Sequence, residues 1–337
     1  MKTDKKSKSR SLRTSFLSLN QDDPLESLIY NTTEEWYDAK HPSFSFDEIK
    51  LVNSMEIKNC PYCNLDKSIK NGKRKDGIQT YKCLTCGRRF NPITGTLFDS
   101  RKIPISEWIE FLVHLFQYES LTVSAIDNRN TQSTGRYWTK KVFETLKHYQ
   151  DNITLGDTFW IDETYVKIEP SKITKDDKNR KLRGLSHDKI CIVTATDGTN
   201  SILYAAGYGK PSSNKILNVM EGKIKPCSNM IDDAEKAHRI LVDTYSLNRQ
   251  SFPSYATKGL KDKNNPLNTI NTLHKFFKKF IAHHGSYDRD EIQDWCNLFS
   301  FMYNHNGIMS SMVTDFLKLA ISTKKVMRYR EVMQKKS

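Results

Sequence analysis

Four cysteines stand as Cys60-Pro61-Tyr62-Cys63 and Cys83-Leu84-Thr85-Cys86, two C-x2-C pairs with 19 residues between them. Each such turn aims two thiolates at one point, and two turns complete a tetrahedral four-thiolate shell. The spacing therefore predicts a structural Zn2+ at Cys60, Cys63, Cys83 and Cys86, with no open position for catalysis. Gly87 follows the second pair, where the turn needs a residue tolerant of positive φ. The other three of the seven cysteines, Cys191, Cys227 and Cys296, are scattered, and the odd total argues against a disulfide framework.

A second group is acidic. Asp162 lies inside Thr158-Phe159-Trp160-Ile161-Asp162-Glu163-Thr164-Tyr165-Val166-Lys167-Ile168. A charge in so apolar a strand is costly unless paired or bound to metal, and Glu163 must point to the opposite face. Asp232 and Asp233 follow Met230-Ile231 at the tip of another strand; each could meet Asp162, and each could simply cap a helix. Two facing aspartates bind hard divalent cations such as Mg2+ or Mn2+ through oxygen. Paired ions of that kind activate a water or a 3′-hydroxyl at a phosphodiester. A third group lies on the helix predicted over Leu267–Lys278. Asn271, His274 and Lys278 stand at i, i+3 and i+7 on one face, opposite an apolar face of Leu273, Phe276, Phe277 and Phe280. Without context, Asn271 is a surface amide and His274 a core histidine.

These groups need particular elements to hold them. From residue 154 the pattern reads as three strands (Thr158–Ile168, Lys189–Asp197, Ser201–Tyr208), a helix (Ser212–Gly222), a short strand ending at Met230-Ile231, and a helix from Ala234 to Val242. That βββαβα order, with further helices after it, matches an RNase H-like sheet. Upstream, the insert Lys67–Lys82 reads as a basic β-hairpin, the build of a zinc ribbon. Pro104 and Ser106 start a helix with Ser106 as N-cap, carrying Trp108, Leu112, Leu115 and Phe116 at helical spacing. Leu121–Ile126 and Ser133–Tyr149, with Trp138, Val142 and Leu146, complete three helices that read as a helix-turn-helix or as a plain trihelical spacer. The expected class is α/β multidomain. The expected layout is a basic, partly disordered arm (1–44), a zinc ribbon (45–95), a helix-turn-helix-like module (96–150), an RNase H-like domain (154–310) and a basic tail (311–337).

The chain has 337 residues, with 53 Lys and Arg against 39 Asp and Glu, a net charge of +14. The excess is clustered: residues 67–89 net +7, residues 1–14 net +5 and residues 318–336 net +6, so the remainder nets −4. Local grips of this kind suit a polyanion, with double-stranded DNA first among them. The candidate phosphate contacts are Lys73, Arg74, Lys75, Arg88 and Arg89 on the ribbon, and Arg136, Lys140 and Lys141 on the third helix. No run approaches the roughly 20 apolar residues of a membrane span. The N-terminus has no apolar leader, so the expected setting is cytoplasmic and nucleoid-associated.

Several segments then fall in a telling order: Asp162-Glu163-Thr164-Tyr165, Arg183-Gly184-Leu185-Ser186-His187-Asp188-Lys189, Asp233 before Glu235-Lys236-Ala237-His238, Asn271-x-x-His274-x3-Lys278, and Leu298-Phe299-Ser300-Phe301-Met302-Tyr303-Asn304. Together with the preceding ribbon they resemble bacterial insertion-sequence transposases of the family numbered fifteen-ninety-five, over about residues 45–306. The resemblance implies a retroviral integrase-like domain with two aspartates, a third residue that varies among Glu, Asn and His, and a helical Lys. On it, Asp162 and Asp233 are the aspartates, Asn271 the third ligand and Lys278 a basic partner beside the cut phosphate. There are 37 residues between Asp233 and Asn271, a spacing typical of such triads. Ala234 stands where the family pattern usually has Gly. The implied activity is binding of terminal inverted repeats followed by metal-dependent strand cleavage and transfer, by a homo-oligomer on DNA. The alternative is a non-catalytic DNA-binding regulator or an inactivated copy.

Overall fold

The computed structural model describes residues 20, 22–38, 46–57, 59–99, 103–127, 130–167, 177, 189–284, 289–323, 327–329 and 332. The basic start at 1–14, the Arg183–Asp188 motif and most of 324–337 lie outside the described residues. The chain divides into two compact units, Met1–Lys141 with Phe316–Ser337, and Val142–Asp315.

In the first unit, helix α1 (Pro24–Asp38) occupies part of the stretch expected as an arm. Asp23 caps it, its carboxylate accepting the amides of Leu25 and Glu26 at 2.9 Å each, with Pro24 at the first helical position, where a missing N–H does no harm. Helix α2 (Phe46–Ser54) braces a three-stranded antiparallel sheet of β1 (Ser68–Lys73), β2 (Gln79–Cys83) and β3 (Arg89–Phe90). The brace is Asn53, whose side chain accepts from the Gln79 amide at 2.8 Å and donates to the Gly77 carbonyl at 3.2 Å.

Three helices follow: α3 (Ile105–Phe116), α4 (Leu121–Asp127) and α5 (Gln132–Leu146). Their core is aromatic, with Trp108 stacked on Trp138 at 4.3 Å and Phe111 edge-on to Trp138 at 5.3 Å. Gly135 lets α5 approach α4 closely, since a Cβ there would lie 2.9 Å from the Cβ of Ala125. Ser106 is not the N-cap of α3: Pro104 holds that position without a side-chain bond, and the Ser106 amide donates instead to Glu48 of α2 at 2.7 Å. The stretch expected as a tail from 311 begins with helix α11 (Met309–Ser322), which buries Met312, Phe316 and Ala320 along one stripe.

The second unit is a five-stranded mixed sheet. Strands β4 (Thr158–Lys167), β5 (Lys189–Thr196) and β6 (Ser201–Tyr208) form an antiparallel meander; α6 (Ser213–Met220) then crosses to β7 (Asn229–Asp232), parallel to β4. After α7 (Arg239–Tyr245), β8 (Asn248–Ser251) adds a parallel edge, giving the order β6-β5-β4-β7-β8. One sheet face buries Phe159, Ile161, Val193, Ala195 and Met230 with Ile216 and Met220 of α6 and Leu241 of α7. The other lies under α9 (Asn268–His283) and α10 (Ile292–Asn304), where Phe277 meets Phe299 at 5.2 Å; a four-residue helix, α8 (Ser254–Thr257), precedes α9.

Two local readings differ from the sequence expectation. The helix expected from Ala234 starts at Arg239, after a 3-10 turn at Lys236–His238. Asp232 and Asp233 fold back onto the amides of Ala234 (3.3 Å) and Glu235 (3.0 Å), and Ala234 takes a left-handed φ of 73°, so the chain turns before it can wind. On α9, Phe276 is 41% exposed and packs on Tyr303, while Ile270 takes the buried place.

Candidate functional site

Strand β4 pairs in parallel with β7 through Trp160↔Ile231. Carried two residues further, that register sets Asp233, just past the end of β7, beside Asp162 on the same face. Asp162 is tied at one oxygen, Oδ1 accepting the Glu163 amide at 2.7 Å. Burial and then the charge of Asp233 push its carboxyl up to about 7. Both forces disfavour a second negative charge, and a divalent cation relieves both. The donor chemistry therefore fits a metal ion, although among the described residues Asp162, Asp233 and His274 are not gathered as closely as the four cysteines are.

Helix α9 is laid against this edge by Trp160, whose indole donates to the Pro266 carbonyl at 2.8 Å. His274 then reaches the sheet. Its Nε2 lies 2.6 Å from Thr194 Oγ1, and its Nδ1 lies 3.7 Å from Asp162 Oδ2. Burial, with the nearby charge of Lys278, lowers it to about 4, so the ring is neutral. Asn271 and Lys278 are exposed one turn to either side, and Asn271 makes no side-chain hydrogen bond among the described residues. Of the helical trio, the structure brings His274 into contact with Asp162 and leaves the other two at the surface nearby.

On the opposite face lies a charge network that sequence reasoning did not assemble. His238 donates from Nδ1 to Asp232 and from Nε2 to Glu163, both at 2.8 Å, and its side chain is fully buried. Burial opposes its charge, but the bonds to Asp232 and Glu163 prevail and raise it to about 10. Asp232 also takes three bonds from Arg249, at 3.3, 3.0 and 2.6 Å, and one from Ser251 at 2.7 Å. These outweigh burial and hold its carboxyl at about 2. Asp232 is thus spent on structure, and the adjacent Asp233 is the one that turns toward Asp162. The network ties the end of β7 to β4, directly beneath the two site carboxylates. Its sequence signal was the six-residue step from Asp232 to His238; Arg249 and Ser251 sit on β8, whose polar Asn-Arg-Gln-Ser gives no strand signal.

In the ribbon, the sulfurs of Cys60 and Cys86 lie 3.7 Å apart and those of Cys63 and Cys83 3.6 Å apart. All four sit within 4.8 Å of one another. Tetrahedral Zn–S bonds of about 2.3 Å require sulfurs about 3.8 Å apart, so the cluster fits zinc. Each turn ends in a left-handed residue, Asn64 (φ 60°) and Gly87 (φ 70°), and Asn64 is the partner to Gly87 that the sequence reading lacked. The Cys86 backbone amide, with that of Thr85, draws the Cys83 thiol down to about 6 against the effect of burial.

The candidate phosphate contacts divide. Lys73, Lys75, Arg88, Arg89 and Arg136 are exposed, with Arg88 lying 5.0 Å over the Tyr62 ring. Arg74 pairs with Asp76 in the hairpin turn, and Lys140 is half-buried. Lys141 is a correction: it is 7% exposed, donates to the Leu97 carbonyl at 3.2 Å and sits 4.9 Å over the Tyr137 ring. Its ammonium is used inside the helical core and does not face solvent.

No helix among the described residues is long and apolar enough to cross a membrane. No protein-family model matches the chain, and no curated protein is significantly similar to it. Among solved structures it is similar to a pre-cleavage Mos1 transpososome, at 10% identity over 65% of this chain and 79% of that one, with a TM-score of 0.28. It is likewise similar to the catalytic domain of Mos1 mariner transposase, at 11% identity over 56% and 95% of the two chains, and to a Mos1 mariner paired end complex with Mn, at 11% over 65% and 79%, each with a TM-score of 0.28. At that score the superpositions are too loose to argue from, and the functional case stands on the chain's own residues.

Proposed function

We propose that the chain is a DNA transposase with an RNase H-like catalytic domain, a zinc ribbon and a helix-turn-helix-like module that together bind the ends of its own element. The observation that carries this reading is the parallel register of β4 and β7, which sets Asp233 just past the end of β7 beside Asp162, with the Asp162 carboxyl held at about 7 by burial and by its neighbour's charge. Asp162, Asp233 and Asn271 would hold Mg2+ or Mn2+, which when bound supplies charge stabilisation at a phosphodiester and activates the attacking oxygen. Asn271 offers a carbonyl oxygen without a negative charge, so a second ion binds more weakly than it would to a third carboxylate. Lys278, one turn beyond His274, is placed to hold a phosphate beside the carboxylates, and fixed orientation favours in-line attack. The Asp232–His238–Glu163 network orients the strand ends without touching the DNA. Joining two ends calls for at least a dimer.

The test is incubation of labelled inverted-repeat ends with the protein and Mg2+ or Mn2+. Nicking is expected in the wild type, absent in Asp162→Ala and Asn271→Ala, and partly retained in Asn271→Glu. Binding of the ends without nicking under either metal would mark the protein as a regulator or an inactivated copy. Equal nicking by wild type and Asn271→Ala would remove Asn271 from the site.

A further inference from the structure

The hydrogen bonds beside Asp162 decide which nitrogen of His274 carries the proton. Thr194 Oγ1 lies 2.8 Å from the backbone oxygen of Asp162 and 2.6 Å from His274 Nε2. A carbonyl oxygen can only accept, so the one hydroxyl proton of Thr194 goes to Asp162. Thr194 then has only an acceptor to offer, and His274 Nε2 must be the donor. The ring is pinned as the Nε2–H tautomer with a lone pair on Nδ1. That lone pair faces Asp162 Oδ2 at 3.7 Å, while Oδ1 already accepts the Glu163 amide. His274 is 7% exposed, so little water is at hand to separate the two electron-rich atoms. Such a pair repels unless something positive lies between them. Histidines that bind metals characteristically donate the other ring N–H to a fixed acceptor, which is the arrangement that Thr194 enforces. Asn271, in contrast, is exposed and has no partner that orients its amide among the described residues.

We propose that His274 Nδ1 is a ligand of the divalent cation held by Asp162 and Asp233, and that this nitrogen turns the site toward Mn2+ over Mg2+. The inference rests on the reading of Asp162 and Asp233 as a metal site. Mg2+ is hard, demands oxygen donors and gives up its water reluctantly. A set of two carboxylates, a neutral amide and an imidazole suits a transition ion better, because nitrogen donors favour first-row metals over Mg2+.

The test uses the full-length, zinc-loaded protein with added Mn2+. Bound ion is counted by electron paramagnetic resonance, and directly coordinated nitrogen is read by pulsed methods. The wild type is expected to show coupling to one bound nitrogen-14, and Mg2+ is expected to displace the Mn2+ only at large excess. His274→Gln should lose the coupling and bind Mn2+ at least tenfold more weakly, whereas Asn271→Ala should keep the coupling. Mn2+ that is bound by the wild type and released in Asp162→Asn, yet shows no nitrogen coupling, would overturn the role of His274 and leave the metal site standing. Mn2+ binding that is indifferent to Asp162→Asn would overturn the metal site itself. The wild-type spectrum needs no substitution, so a variant that fails to fold does not blur the result.

Discussion

Asp232 and Asp233 are neighbours with opposite duties, and the difference lies in what each side chain can reach. Asp232 points into the core, where His238, Arg249 and Ser251 hold it. Among the described residues, Asp233 bonds only the Glu235 amide two residues on, and it faces Asp162. Alternation along a strand says that the two must diverge, but it does not say which way. The deciding partners come from β8, which no hydrophobic pattern announced. Beside them Ala234 holds φ at 73°, a conformation that costs an L residue roughly 1 kcal/mol or more. Ala234→Gly is expected to stabilise the second unit by about 1 kcal/mol, read as a higher urea midpoint at unchanged m-value. Lys141 makes a second residue-scale prediction. Burial lowers it to about 8 from 10.5, with Asp99 pulling the other way. Between those values the unfolded chain binds the proton more tightly, so stability rises as pH climbs from about 8 toward 10.5, and the full penalty is present at pH 7. Lys141→Met should unfold at higher urea than wild type at pH 7, with the gap closing as pH approaches 10.5.

At the scale of elements, the ribbon was the most legible part of the chain. Its ligands are local, and a C-x2-C turn has one main use at that spacing. The β1–β2 hairpin has few buried apolar residues beyond Ile78 and Cys83, so its stability depends on the staple. Chelation of zinc at neutral pH is expected to unfold residues 60–90 while the β4–β8 sheet keeps its structure. Amide hydrogen exchange measured with and without chelator checks this: full exchange should be confined to the first unit. The meander β4–β6 and its crossover through α6 were legible because β-branched runs alternate with turn signals. What escaped were the short polar strand β8 and the 3-10 start of α7. Both are held by side-chain bonds to distant residues, and periodicity carries no trace of these.

Over the whole molecule, the net charge of +14 does not say which cations can meet a phosphate. Lys141 is buried and Arg74 is paired within its own hairpin, while Lys73, Lys75, Arg88, Arg89 and Arg136 are exposed. Each phosphate contact contributes close to one unit to the slope of log affinity against log salt. Lys73→Ala is therefore expected to reduce that slope for duplex DNA by about one, and Lys141→Met to leave it unchanged; equal effects from the two would refute the division of exposed from buried cations.

The strained turn at Ala234 also has a genetic side. Every alanine codon becomes a glycine codon through one change at its second base, so a chain limited by that turn is a single nucleotide from relief. If the proposed strand-transfer activity is right, a population placed under selection for that activity should recover that change repeatedly and independently. A turn that contributes nothing to activity should leave the codon to drift.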